Sequence, residues 1–90
     1  MRRYKHFNTT ADATEQYELA LKDDGNFIWL ISRSEAAGSA ASHDARGRWT
    51  QTGETITFEI IDRSSDDAPV PITATMRDDR LEIAGFGTFA

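Results

Sequence analysis

The sequence predicts an all-β chain, an antiparallel up-and-down meander of six or seven strands forming a curled sheet or a small barrel, open or closed. Three observations carry that prediction. Apolar and polar residues alternate with period two in several separate segments. Short turn signals built from Asp, Gly and Thr divide those segments. When the segments are folded back on one another at those turns, their apolar faces meet, so local pattern and pairing agree. No stretch of ten or more residues carries a helical apolar stripe.

Taken in order, Arg3 to Phe7 reads as an opening strand, and Thr9 to Thr14 as a loop or a single helical turn. From Tyr17, the residues Tyr17, Leu19 and Leu21 alternate with Glu18, Ala20 and Lys22, giving a strand with one buried face. Asp23-Asp24-Gly25 follows, with glycine where a three-residue hairpin needs a left-handed conformation. Asn26 to Arg33 returns. With that turn Leu21 opposes Phe27, Leu19 opposes Trp29 and Tyr17 opposes Ile31. A two-residue turn at Asp24-Gly25 would pair Leu21 with Ile28 and flip the second strand; the first register gathers the aromatic rings.

Ser34 to Ala45 is small and polar and lacks a large apolar anchor, which predicts a loop or a short frayed helix. Gly47 to Gln51 reads as a strand and Thr52-Gly53 as a tight turn, with Trp49 opposite Ile56. Glu54 to Ile61 then places Ile56, Phe58 and Ile60 on one face. Asp62 to Pro69 is a second polar loop. Val70 to Arg77 alternates with Val70, Ile72, Ala74 and Met76 inward and Pro71 outward. Asp78-Asp79 turns the chain into a last strand, Arg80 to Phe89, setting Met76 against Leu81 and Ala74 against Ile83.

Ninety residues suffice for one domain, residues 1–90, with a single core. A hydrophobic fraction of 39% and a charged fraction of 28% suit a soluble globular chain. The net charge of −5 argues against duplex nucleic acid or an anionic membrane as partner. The chain has no cysteine, hence no disulfide, no thiolate nucleophile and no cysteine-bound zinc. The longest apolar run, Phe27 to Ile31, is too short to span a bilayer. Met1-Arg2-Arg3-Tyr4-Lys5-His6 has no apolar run behind its charges and is not read as a secretory signal, so a cytoplasmic location is expected.

The order Leu19-x-Leu21-x-x-Asp24-Gly25-x-Phe27, Gly47-x-Trp49, Gly53-x-x-Ile56-x-Phe58, Leu81-x-Ile83 resembles the lipocalin-like small meander domains of bacteria. These include the META-type domains and the N-terminal domain of the copper-resistance lipoprotein. The resemblance covers roughly residues 17 to 85 and implies topology more than ligand. The chain has neither a lipobox cysteine nor a Cys-x-x-Cys, so metal handling is not implied.

Two sets of residues are candidates for function. Tyr17, Phe27, Trp29, Trp49 and Phe58 either line a cavity for a small hydrophobic ligand or fill the interior, as side chains do in narrow barrels. Ile28, Leu30, Ile61 and Phe86 are expected on the opposite face, so the strand Asn26 to Arg33 is apolar on both sides. Such a face needs a cover, and a second copy of the chain would supply one as a homodimer. Catalysis and metal binding have no comparable basis. His43-Asp44 lacks a fixed second ligand, Ser39 and Ser42 lack the setting of a nucleophile, and Asp66-Asp67 and Asp78-Asp79 lack the spaced oxygens of a calcium loop. The arm Arg2 to Phe7 interleaves bases with rings but is short beside an acidic body, so nucleic acid is not expected. The sequence therefore points to a non-catalytic interaction domain without cofactor, self-associating through its second apolar face, or to a binder of a small apolar ligand.

Overall fold

The computed structural model describes residues 1–66 and 69–90; Asp67 of the Asp66-Asp67 pair and Ala68 of the second polar loop lie outside the described residues. Among the described residues every regular element is a strand: β1 (Arg2–Thr9), β2 (Ala13–Leu21), β3 (Asn26–Glu35), β4 (Ala40–Thr52), β5 (Thr55–Arg63), β6 (Thr73–Arg77), β7 (Arg80–Ile83) and β8 (Gly87–Phe89). Each pairs antiparallel with its sequence neighbours, in the order β1 to β8, as one meander. The sheet curls until its two edges meet. There Lys5 and Ala90 exchange backbone hydrogen bonds, each N–H donating to the other's carbonyl at 3.0 Å. His6 reinforces this seam, its Nδ1 lying 2.8 Å from the accepting Thr88 carbonyl and its ring stacking on Phe89.

The three-residue hairpin is present as the alternation requires. Leu21 pairs with Phe27, Leu19 with Trp29 and Tyr17 with Ile31. Gly25 adopts φ +88°, a left-handed conformation that a Cβ would oppose. The Asp24 carboxylate accepts from the Asn26 N–H at 3.0 Å. That bond and a nearby lysine hold its pKa below the ordinary carboxylate value. Met76 pairs with Leu81 and Ala74 with Ile83 around Asp78-Asp79, also as expected.

Elsewhere the structure corrects the expectations. Ser34 to Ala45 is no loop: β3 runs on to Glu35, β4 begins at Ala40, and Ser32, Arg33 and Ser34 pair with Ser42, Ala41 and Ala40. Backbone hydrogen bonds to strands already in place carry this ribbon without any large side chain. The β4–β5 turn sits one residue later than expected, at Gly53-Glu54, so Trp49 faces Phe58 rather than Ile56. The shift of partner is even, and the apolar faces still meet. Before β6 the parity is reversed: Pro71 is buried and Ile72 is exposed. The expected last strand is two strands, β7 and β8, joined by a tight turn with positive φ at Gly85. That extra hairpin and the opening strand raise the number to eight.

The interior is apolar. Leu19, Leu21, Phe27, Trp29, Ile56, Leu81, Ile83 and Phe89 are almost wholly removed from water and form one cluster. Burying side chains of this size stabilises by about 1.5–3 kcal/mol each, the main force available to a disulfide-free chain of this length. No charged or polar side chain is buried among the described residues. Both indoles are satisfied, Trp29 Nε1 donating to the Pro69 carbonyl and Trp49 Nε1 to the Lys22 carbonyl, each at 3.0 Å.

Candidate functional site

The aromatic set occupies the interior. Phe27 and Phe58 meet edge to face at 5.0 Å, and Tyr17 tilts against Trp29 at 5.9 Å. Trp49 and Tyr17 are half-buried at the edges of the same cluster. The principal hollows open on the outside of the sheet or at its ends; of the five residues, only Phe27 borders one. The structure thus brings the five rings into one hydrophobic cluster.

At one end of the barrel the inward positions become polar. The Tyr17 hydroxyl donates to the Glu15 carboxylate at 3.0 Å, and Arg33 reaches both Glu15 and Glu35. Burial, then the Glu15 hydrogen bond and charge, push the Tyr17 phenol above its ordinary pKa; the Arg33 charge opposes them. These groups satisfy one another. His43, paired with Ile31 across β3 and β4, is a strand residue rather than a loop residue. Among the described residues no three of His, Asp and Glu cluster as a metal site requires.

The second candidate set divides. Ile28 is half-buried on the outer face of β3, while Leu30 keeps 40% and Ile61 64% of its surface exposed. Ile61 lies on that face by alternation with the inward Ile60, and it is also the extra residue of a bulge: Arg46 pairs with Asp62 and Gly47 with Ile60, leaving Ile61 unpaired. It borders one hollow together with Ile28 and Arg46. Phe86 does not share the face. The Ala84–Phe86 turn breaks the strand alternation, and the ring folds inward onto Trp29 at 4.9 Å and Tyr17 at 5.6 Å.

Strand register fixes what surrounds the outer aliphatic groups. Ile28 is flanked across the strands by Ala20 and Arg46, with Arg3 beyond Ala20. One step along, Leu30 is flanked by Glu18 and Asp44, with Lys5 beyond Glu18 and bonded to it at 3.4 Å. One step the other way, Asn26 accepts at its carbonyl from the Lys22 N–H at 2.9 Å and lies beside Arg48; beyond Leu30, Ser32 lies between Gln16 and Ser42. Beside β3 the face therefore presents Arg46 at the level of Ile28 and the anions Glu18 and Asp44 at the level of Leu30; one strand farther out, Asp62 adjoins Arg46 and Lys5 adjoins Glu18. A groove of about 290 Å³ crosses it, floored by Ala20, Ile28 and Leu30 and rimmed by Arg3, Lys5 and Lys22.

The sequence named the aliphatic members of this face and missed the charged ones. Asp44 and Arg46 fell in or beside a segment read as a loop, where no partner is defined. The available signal was the alternation of His43, Ala45 and Gly47 with Asp44, Arg46 and Arg48, masked by the small size of the inward residues. Compared with known proteins, this chain matches no family model, no curated protein and no solved structure.

Proposed function

We propose that this chain is a non-catalytic interaction domain that self-associates through the outer face of β2 to β5, centred on Ile28 and Leu30. The observation that carries the proposal is an aliphatic patch outside a barrel whose inward side chains already pack on one another. Leu30 and Ile61 contribute nothing to the core, yet they adjoin Ile28 on one surface. Covering such a patch recovers about 25 cal/mol for each Å² of apolar surface removed from water. The packed rings leave the outside of the sheet, rather than an internal cavity, as the place for recognition. The mixed charges around the patch suit a surface that must stay dissolved until a matching surface meets it.

Sedimentation at micromolar concentration tests the proposal. The parent chain is expected to run as a dimer. Leu30→Glu is expected to run as a monomer with an unchanged circular-dichroism spectrum, since it would bury an unpaired carboxylate at the contact and weaken association by about a hundredfold or more. A parent that is monomeric throughout, or a Leu30→Glu variant that dimerises equally well, would sink it.

A further inference from the structure

Building on that self-association, we infer how the second copy sits. The two outer faces meet with strands antiparallel, about a twofold axis lying across the strands at the level of Trp29, between Ile28 and Leu30. Cross-strand register selects this arrangement over its alternative.

Two sheets can meet face to face through a twofold axis lying either along the strands or across them. An axis along β3 would lay β4 of one copy over β2 of the other at unchanged height. Asp44 would then face Glu18, and Arg48 would face Lys22, because these residues flank β3 at matching levels. Like charges would be desolvated against each other in two successive rows beside β3, which outweighs the opposite pair, Asp62 over Arg3, set together two strands out, and disfavours that arrangement.

An axis across the strands lays each strand on its own counterpart, running the opposite way. Ile28 then rests on Leu30 of the second copy, and Arg46 faces Asp44 of the second copy, twice by symmetry. Lys22 and Arg48 fall over the uncharged Gln16 and Ser42, and the one like-charge approach, Arg3 over Lys5, lies two strands from β3 where the sheet curls away from the contact. Facing sheets lie about 10 Å apart, within reach of an arginine extended toward an aspartate. Among the described residues, Arg46 and Asp44 make no ion pair within their own chain, although Arg46 stands opposite Asp62 across β4 and β5. The backbone of Asp44 is held by Ser64, so its carboxylate is free to serve the contact.

The test reverses each charge separately in the full chain. Asp44→Arg sets arginine against arginine, and Arg46→Asp sets aspartate against aspartate. Each variant alone is expected to dimerise about tenfold more weakly or worse, and an equimolar mixture to recover dimer, since each chain then supplies what the other lacks. If the parent dimerises while both variants match it, or if the mixture stays monomeric, this arrangement is overturned and self-association stands. If the parent is monomeric, both proposals fall together. A second measurement does not depend on reversed charges. The chain has no cysteine, so Lys22→Cys mixed with Gln16→Cys offers one defined pair to a short bifunctional crosslinker. Crosslinked dimer from that mixture supports the arrangement; crosslinking only of Lys22→Cys with Arg48→Cys identifies the alternative axis and refutes it.

Discussion

Phe27 and Gly47 are paired directly across β3 and β4, and the Phe27 ring edge lies where a side chain on Gly47 would begin. A Cβ at that position would sit 2.9 Å from Phe27 Cε1 and would collide with the Glu59 carbonyl. The close approach comes from the bulge at Ile61, which draws the β5 backbone against β4. Gly47 is thus required for its lack of volume, since its φ is not among the positive ones.

Gly47→Ala is accordingly expected to destabilise the chain by about 2–4 kcal/mol, because a backbone carbonyl cannot move aside as a flexible side chain would. A urea unfolding midpoint measures it. Gly25→Ala is expected to cost about 1 kcal/mol, because nothing lies within 4 Å of its Cβ and only the left-handed φ is penalised. Equal losses at the two positions would contradict this account.

Trp29→Phe removes the Nε1–H that the Pro69 carbonyl accepts and shrinks a ring packed against Tyr17, Phe86 and Phe89. The expected loss is about 2–3 kcal/mol, combining a small cavity with an unsatisfied carbonyl. Trp49→Phe is expected to cost less, about 1 kcal/mol, since its ring is only half-buried. Paired denaturation curves give the difference.

The seam is expected to open before the rest of the barrel. β1 and β8 are joined by the Lys5–Ala90 pair of backbone bonds, whereas β2 and β3 are matched over their whole length from Ala13–Glu35 to Leu21–Phe27. Amide hydrogen exchange at Lys5 and Ala90 is expected to be faster by about two orders of magnitude or more than at Leu19 and Trp29. Uniform protection would show that closure of the seam is part of the global unfolding unit.

Tyr17 makes stability depend on alkaline pH. Its phenol is raised above 10.0 in the folded chain, chiefly by burial and then by Glu15. The folded state therefore holds this proton more tightly than the unfolded state does. The resulting stability is complete below the unfolded value near 10 and declines as pH climbs from there through the folded value. Tyr17→Phe is expected to flatten the fall in unfolding midpoint between about pH 9 and 11. An unchanged slope would assign that fall to other groups.

Much of the fold was legible because period-two alternation is local. Tyr17, Leu19 and Leu21 declare one face of β2 without reference to any other strand, and Gly25 fixes the turn that brings Phe27, Trp29 and Ile31 opposite them. The strand from Ala40 was hidden because its inward residues are Ala41, His43, Ala45 and Gly47, too small or too polar to mark a buried face. Phe86 was misplaced because a turn resets the alternation, and its own spacing from Ile83 does not reveal that turn. Pro71 and Ile72 were reversed for a similar reason, since regular pairing begins only at Thr73.

What the sequence determined by itself is the class of fold and most of the core, with Phe86, Pro71 and Ile72 misassigned. Both follow from side-chain polarity repeated every second residue and from a few turn residues, interactions that reach only a short way along the chain. What only the tertiary structure decided is who stands beside whom on the outside. The neighbours of Ile28 and Leu30 depend on the lengths of the β2–β3 and β3–β4 turns, and those of Arg46 on the bulge at Ile61. A single residue gained or lost in any of them slides whole rows of charge past one another. The alignment of Arg46 beside Ile28 and of Asp44 beside Leu30 is a property of the assembled sheet, because hydrogen-bond register, and no individual strand, sets it.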